Sequence, residues 1–303
     1  MAALRMDKRF DIVALGECLV DFARTDDRRG CRILLEGNPG GAPANVLAQA
    51  AKLGLSTAFL GKVGDDGFGS VVRLAIEEAG VDVSGLVVGI GVATTIAVVD
   101  IAPDGDRSFG FYRNGTADVL LSSEEVDMEI VTGGSIFHFG SVSMTVDPSR
   151  STTLAAARAA KASGSLVSFD PNIRLRLWSS QEDAARTIRK TLALADFVKL
   201  SDEELEFLTG ERDTLAGISA FFGEYKPELL AVTRGARGCI LRAGKSVREG
   251  QGFDVPCIDA TGAGDSFWGA LLAKILRDGK PIAEYCDAEL DSLMGFANAA
   301  GGL

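Results

Sequence analysis

The sequence predicts an α/β fold, doubly wound about a mostly parallel sheet, and three observations predict it. Short runs rich in β-branched and aromatic residues alternate with Ala-rich amphipathic stretches, the pattern of successive βα units. Two stretches, about 17–35 and 94–113, break that alternation with successive strands and no helix between them. The length, 303 residues, suffices for one sizeable core. The expectation is therefore a single domain over 1–303 with a small β appendage.

The elements follow in order. Strands are expected at Asp11–Leu15, Thr57–Lys62, Ser135–Phe139, Leu166–Asp170, Phe197–Leu200 and Leu229–Thr233. Helices are expected between them at Pro43–Leu53, Phe68–Ala79, Arg150–Ala162, Gln181–Leu194 and Ala263–Arg277. In the second irregular stretch Pro103-Asp104-Gly105 signals a hairpin turn. A β flap inserted in an α/β domain suits a lid that keeps water from a transfer reaction, and an edge extension of the main sheet is the plainer reading.

Composition excludes several classes. With 42 acidic against 31 basic residues and a net charge of −11, the surface repels a nucleic-acid backbone. Five cysteines, Cys18, Cys31, Cys239, Cys257 and Cys286, form no CxxC pair, which argues against a zinc or redox motif and for reduced thiols in the cytoplasm. The opening MAALRMDKRFDIVALG does not read as a cleavable signal peptide. No stretch reaches the roughly 18 apolar residues that a membrane span needs, so no membrane partner is expected. A single histidine, His138, rules out His-cluster metal sites and most catalytic triads, and reads as a buried, hydrogen-bonded residue.

The sharpest feature is DATGAGD, Asp259 to Asp265, leading into the apolar run Ser266 to Leu276. Gly262, Ala263 and Gly264 have almost no side chains, so their amides at a helix start can approach an anion closely, where the helix dipole also favours negative charge. That makes a phosphate seat. Asp265 then stands in the first helical turn, where its carboxylate can accept a proton from a hydroxyl held beside the anion. The bland alternative is a turn followed by an Asp that merely caps the helix. Competing phosphate motifs fail: Gly238 to Ser246 has five residues between its glycines where a Walker A has four, and GECLVD has a single glycine after the first strand where a dinucleotide fingerprint needs three.

DATGAGD resembles the C-terminal signature of the PfkB (ribokinase-like) carbohydrate kinases, and GNPGGAPANVLAQAAKLG, Gly37 to Gly54, resembles their N-terminal signature. The two stand in the family's order and the likeness spans nearly the whole chain. It implies a ribokinase-like three-layer α/β/α fold with a small β lid and an ATP-dependent phosphotransferase acting on a sugar hydroxyl. Carried over, Gly262, Ala263 and Gly264 form the anion hole for the γ-phosphate and Asp265 is the base. Asp21, Gly40, Gly41 and Asn45 stand where relatives hold sugar hydroxyls; Asp and Asn offer oriented hydrogen bonds, and a diglycine lets a sugar lie against bare backbone.

Further segments match more loosely. FDPNIR, Phe169 to Arg174, resembles a segment facing the substrate cleft, with Asn172 and Arg174 as candidates. VTRGARG, Val232 to Gly238, resembles the glycine turn beside the nucleotide, implying Thr233, Gly235 and Gly238, and FANAAGGL resembles the adenine-pocket helix, implying Asn298. In KLSDEEL, Lys199 to Leu205, Glu204 keeps the acidic position of a magnesium-associated motif while Ser201 replaces the usual Asn. Mg²⁺ dependence through water bound to Glu204 is expected. Ala260 stands where many relatives have a hydroxyl residue. The segment Arg107 to Ser122 is similar to the fructokinase lid region, implying that Arg113 reaches the sugar. Fructose, giving fructose 6-phosphate, is the leading substrate, 2-keto-3-deoxygluconate the rival within the class, and a catalytically silent binding scaffold the rival from another class. The resemblance also points to K⁺ as a candidate cofactor beside ATP and Mg²⁺ and to the lid as a candidate homodimer surface.

Overall fold

The computed structural model of the protein describes residues 8–24, 33–101, 107–253 and 261–302. The turn at Pro103-Asp104-Gly105, Asp259 and Ala260 of the signature, and Cys31 and Cys257 lie outside the described residues.

The chain opens with β1 (Phe10–Leu15), β2 (Leu19–Arg24) and β3 (Leu35–Gly40), then α1 (Ala42–Lys52), β4 (Thr57–Gly64), α2 (Gly67–Glu78), β5 (Asp82–Gly89), β6 (Ile96–Ile101) and β7 (Arg107–Tyr112). It continues through α3 (Met128–Thr132), β8 (Gly134–Phe139), α4 (Ser149–Ala162), β9 (Leu166–Phe169), α5 (Gln181–Leu192), β10 (Phe197–Ser201), α6 (Asp202–Thr209) and α7 (Thr214–Tyr225). The last elements are β11 (Leu229–Thr233), β12 (Cys239–Ala243), β13 (Ser246–Gly250), α8 (Ala263–Asp278) and α9 (Asp287–Gly302).

Among the described residues the main sheet has nine strands in the order β13-β12-β11-β10-β9-β8-β1-β4-β5. From β11 to β5 every pairing is parallel, and the two pairings at the other edge, β11 with β12 and β12 with β13, are antiparallel. Both faces are apolar because strand residues alternate sides. In β1, Ile12 and Ala14 join the core under α1, α2, α8 and α9, while Val13 and Leu15 join the core under α4 to α7. This is the expected three-layer α/β/α arrangement.

The second sheet, β3-β2-β6-β7, is the expected small lid. Two antiparallel pairs, β2 with β3 and β6 with β7, are joined by parallel pairing of β2 with β6. The first lid segment extends beyond residue 35, because β3 carries the chain from Leu35 to Gly40, the first glycine of the diglycine. Gly37, Pro39 and Gly40 weaken strand propensity, yet an edge strand tolerates them once β2 supplies its partner.

Strand order fixes where a ligand can sit. From β1 the chain moves first to β4 and β5 on one side and later to β8 and β9 on the other. The crevice at the C-terminal ends of β1 and β8 is therefore a topological switch point, where open α/β sheets bind ligands.

Candidate functional site

Helix starts in this protein are mostly closed by side chains. Asp66 caps α2, Ser180 caps α5, Ser201 caps α6 and Asp213 caps α7. At α8 the N-cap is Gly262, in the left-handed region at φ 78°, and among the described residues no side chain caps the first amides. An L side chain is strained there, so glycine is what lets the chain turn into α8 and leaves its first amides bare.

Asp265 lies in that first turn, and its Oδ2 accepts a hydrogen bond from Asn45 Nδ2 at 2.9 Å. Burial raises the Asp265 carboxyl to about 6, opposed by the Asn45 hydrogen bond and by the charges of Lys199 and Arg174. Such a carboxylate is ionised near neutrality and more basic than an exposed one, which suits proton abstraction from a hydroxyl.

Asn45 reaches across because α1 starts at the diglycine and packs on α8. Gly41, the N-cap of α1, has φ 130°, and a Cβ built there would lie 2.4 Å from the Glu17 carbonyl oxygen. A Cβ on Gly40 would lie 2.3 Å from Asp21 Oδ2, so bare backbone at residue 40 makes room for that carboxylate. Burial raises Asp21 to about 6, with Arg174 pulling it down.

A cleft of about 350 Å³ joins these parts, lined by Asp21, Gly41, Asn45, Asn172, Arg174, Gly262, Gly264 and Asp265, with Phe111 of lid strand β7 along one wall. Seven residues expected at the substrate and seat thus meet there with the base, although they come from β2, α1, the loop after β9 and the start of α8. Asn172 adopts φ 46°, which is uncommon outside glycine, and its amide donates to Asp170 Oδ1 at 3.2 Å.

Arg113 is placed differently. It is buried, donates through Nε to Asp118 (2.6 Å) and through its terminal nitrogens to Thr145 Oγ1 (2.6 Å) and the Val142 carbonyl (2.9 Å), and lines a neighbouring cavity of about 730 Å³. That larger cavity shares Phe111 with the cleft but contains neither the seat nor the base. The nucleotide candidates also lie off the cleft lining. Thr233 Oγ1 donates to the Leu200 carbonyl (3.3 Å), and Asn298 Nδ2 to the Gln251 carbonyl (3.0 Å). Gly235 (φ 56°) and Gly238 (φ 81°) shape the turn between β11 and β12, with residues 250–252 packed so tightly on Gly238 that no side chain fits.

Two residues with no expected role, Lys199 and Glu17, line the same cleft. Lys199, buried in β10, donates to Asp170 Oδ2 at 2.7 Å, and a Cβ on Gly264 would lie 3.1 Å from its Nζ. Glu17 is 3 % exposed, accepts the Ala42 amide on Oε1 (3.2 Å) and leaves Oε2 without a partner. Burial raises Glu17 to about 7. His138 is buried and hydrogen-bonded, as expected. Trp268 Nε1 donates to Ser168 Oγ at 2.9 Å, His138 Nδ1 shares a hydrogen bond with the same oxygen at 2.9 Å, and burial lowers His138 to about 4.

The described residues hold no cluster of three or more His, Cys, Asp or Glu side chains fit to bind a metal ion alone. Glu204 accepts the Ile173 amide on one oxygen (2.6 Å) and the Ser201 amide on the other (2.9 Å), the latter bond closing a capping box that starts α6. Each carboxylate oxygen keeps a further lone pair, which fits a magnesium-bound water and not a cage built by the protein.

Comparison with known proteins agrees with this geometry. Residues 9–303 match the model of the pfkB family carbohydrate kinases. The chain is 40 % identical over 298 residues to fructokinase-2 of Solanum habrochaites, covering 96 % of this chain and 89 % of that protein. The crystal structure of a fructokinase with bound ATP from Xylella fastidiosa superposes with a TM-score of 0.87 at 34 % identity, covering 97 % of this chain and 91 % of the other. A fructokinase double mutant from Vibrio cholerae, in fructose, ADP and potassium ion bound form, superposes at 0.85 with 33 % identity, covering 99 % and 93 %. A signature helix left open at its start, a partly buried carboxylate in its first turn and this match along nearly the whole length have one explanation: the chain belongs to the pfkB family of carbohydrate kinases.

Proposed function

We propose that this protein is an ATP-dependent fructokinase, transferring the γ-phosphoryl group of ATP to fructose to give fructose 6-phosphate. The observation that carries this reading is Asp265, a partly buried carboxylate raised to about 6 beside the uncapped amides of α8 and tied to Asn45 from the diglycine helix. Likeness to fructokinases, one of them bound to fructose, ADP and a potassium ion, supports the substrate and a K⁺ requirement.

In this reading Asp21 and Asn45 hold sugar hydroxyls against the diglycine, and Asn172 and Arg174 close the opposite side. Asp265 takes the proton of the attacking hydroxyl while the amides of Gly262, Ala263 and Gly264 receive the charge of the phosphoryl group. Thr233, Gly235, Gly238 and Asn298 lie toward the nucleotide, where the Gly238 turn and the Asn298 anchor shape its seat without touching the cleft. Arg113 acts from the neighbouring cavity by fixing the loop that carries Val142, which lines the cleft. Mg²⁺, held by the phosphates and by water on Glu204, would neutralise phosphate charge.

Within one catalytic domain over 1–303, the lid closes over the sugar and pairs with a second copy. Leu35 and Tyr112, 42 % and 65 % exposed on the lid's edge strands, support that dimer. Free thiols at Cys18, Cys239 and Cys286 suit the reducing cytoplasm.

A coupled assay of ADP release across fructose, 2-keto-3-deoxygluconate, ribose and adenosine tests the reading. Turnover should be at least tenfold more efficient with fructose. Preference for 2-keto-3-deoxygluconate would reassign the substrate, and no turnover with any of them would leave a silent scaffold.

A further inference from the structure

Lys199 is an unusual residue to find where it is. In β10, Phe197 points into the core under α8, whereas Val198 and Leu200 point into the opposite core, so alternation sends Lys199 to the α8 side. The residue is 7 % exposed, and it lines the cleft. Asp170, just past the end of the adjacent strand β9, takes one of its three ammonium hydrogens at 2.7 Å.

Neutralising Asp170 does not account for this position. A buried ion pair contributes little net stability, because the desolvation of both charges offsets their attraction. Here the ammonium sits close enough to Gly264 that a Cβ at that residue would approach it to 3.1 Å. A side chain at Gly264 would therefore crowd the ammonium and push it back by a few tenths of an ångström. Around the seat stand Asp170, Glu204 and Asp265, and each raises the Lys199 pKa against the lowering effect of burial, so it stays an ammonium. A phosphoryl group brought among three carboxylates needs a fixed cation within a few ångströms.

We propose that Lys199 is a further catalytic residue: its ammonium, held by Asp170, contacts the migrating phosphoryl group on the side opposite the amides of Gly262, Ala263 and Gly264. This rests on the kinase reading above. The sugar oxygen forms a bond to phosphorus, the bond from phosphorus to the β-phosphate oxygen breaks with its electron pair leaving on ADP, and the hydroxyl proton ends on Asp265. Lys199 exchanges no proton; it balances charge on the equatorial oxygens and on the departing ADP.

Lys199→Met, which keeps length and loses charge, tests this, with the double variant Asp170→Asn/Lys199→Met to remove the pair without stranding a carboxylate. The single variant should lower kcat by about 10²–10³, with the KM for fructose within threefold of wild type. It should weaken the non-hydrolysable analogue AMP-PNP at least tenfold by calorimetry and leave AMP unaffected. The double variant should fold as wild type and stay as slow as the single one. Recovery of kcat in the double variant, or equal AMP-PNP affinity in wild type and Lys199→Met, would overturn the assignment and leave Lys199 a partner of Asp170 alone. The AMP-PNP comparison reads the lysine whichever sugar is used, whereas wild type inactive toward every sugar tested would count against the function alone.

Discussion

Asn45 Nδ2 and Asp265 Oδ2 lie 2.9 Å apart although 220 residues separate them in the chain. The bond joins the start of α1, set by the diglycine, to the first turn of α8, set by Gly262. One side chain therefore orients the proposed base and, because it donates to the ionised carboxylate, keeps that base from rising further.

That bond fixes the pH dependence. Asp265 acts only when deprotonated, so kcat/KM should rise with pH through about 6 and level off above it. Asn45→Ala removes a contact that lowers the pKa, so its acid limb should move to higher pH in a pH–rate profile. Asp21 is raised to the same range, and Asp21→Asn separates the two: the limb should remain while the fructose KM rises about tenfold, the loss of one good hydrogen bond to a buried hydroxyl. An unmoved limb in Asn45→Ala would detach the asparagine from the base.

Glu17 should leave its mark on stability and not on turnover. Its folded-state pKa of about 7 stands above the ordinary 4.5, so its favourable contribution is complete below pH 4.5 and is lost as pH rises through 7. Glu17→Gln keeps an oxygen for the Ala42 amide and removes the buried charge. At pH 8 the variant should be more stable than wild type by on the order of 2–3 kcal/mol, and the two should converge near pH 4.5. Parallel stability curves from urea titrations at the two pH values would refute this.

Gly41→Ala should destabilise the protein by about 3 kcal/mol. The residue adopts φ 130°, and the new methyl would meet the Glu17 backbone, which cannot swing aside as a side chain can. Denaturant unfolding measures the change, and a loss below 1 kcal/mol would show that the diglycine tolerates a side chain.

Phe111 is the lid's contribution to the cleft wall. Phe111→Ala should raise the fructose KM about tenfold, from lost apolar contact of one to two kcal/mol, and should raise ATP hydrolysis uncoupled from sugar phosphorylation, because the lid then excludes water less well. Unchanged coupling would remove the lid wall from the account.

The parallel strands were legible because each is a short apolar run buried on both faces, and the signature at α8 was legible because glycines before a helix have few other uses. The Lys199–Asp170 pair was not, since a lysine in a strand reads as a surface residue until β9 and β10 are paired with Val198 opposite Phe169, which brings the next two side chains together. Arg113 was expected to reach the sugar, but its acceptors, Asp118, Thr145 and Val142, come partly from a loop after β8 that no local pattern links to it. Helices α6 and α7 and strand β5 fell outside the expected elements for a related reason: their start signals are capping boxes, Asp caps and glycines whose meaning depends on the neighbours they meet.

The most direct test is Asp265→Asn, which preserves shape and removes the proton acceptor. Its thermal unfolding and fructose affinity should match wild type while kcat with fructose falls by about 10³. A kcat within tenfold of wild type in that folded variant would contradict the assignment of Asp265 as the base.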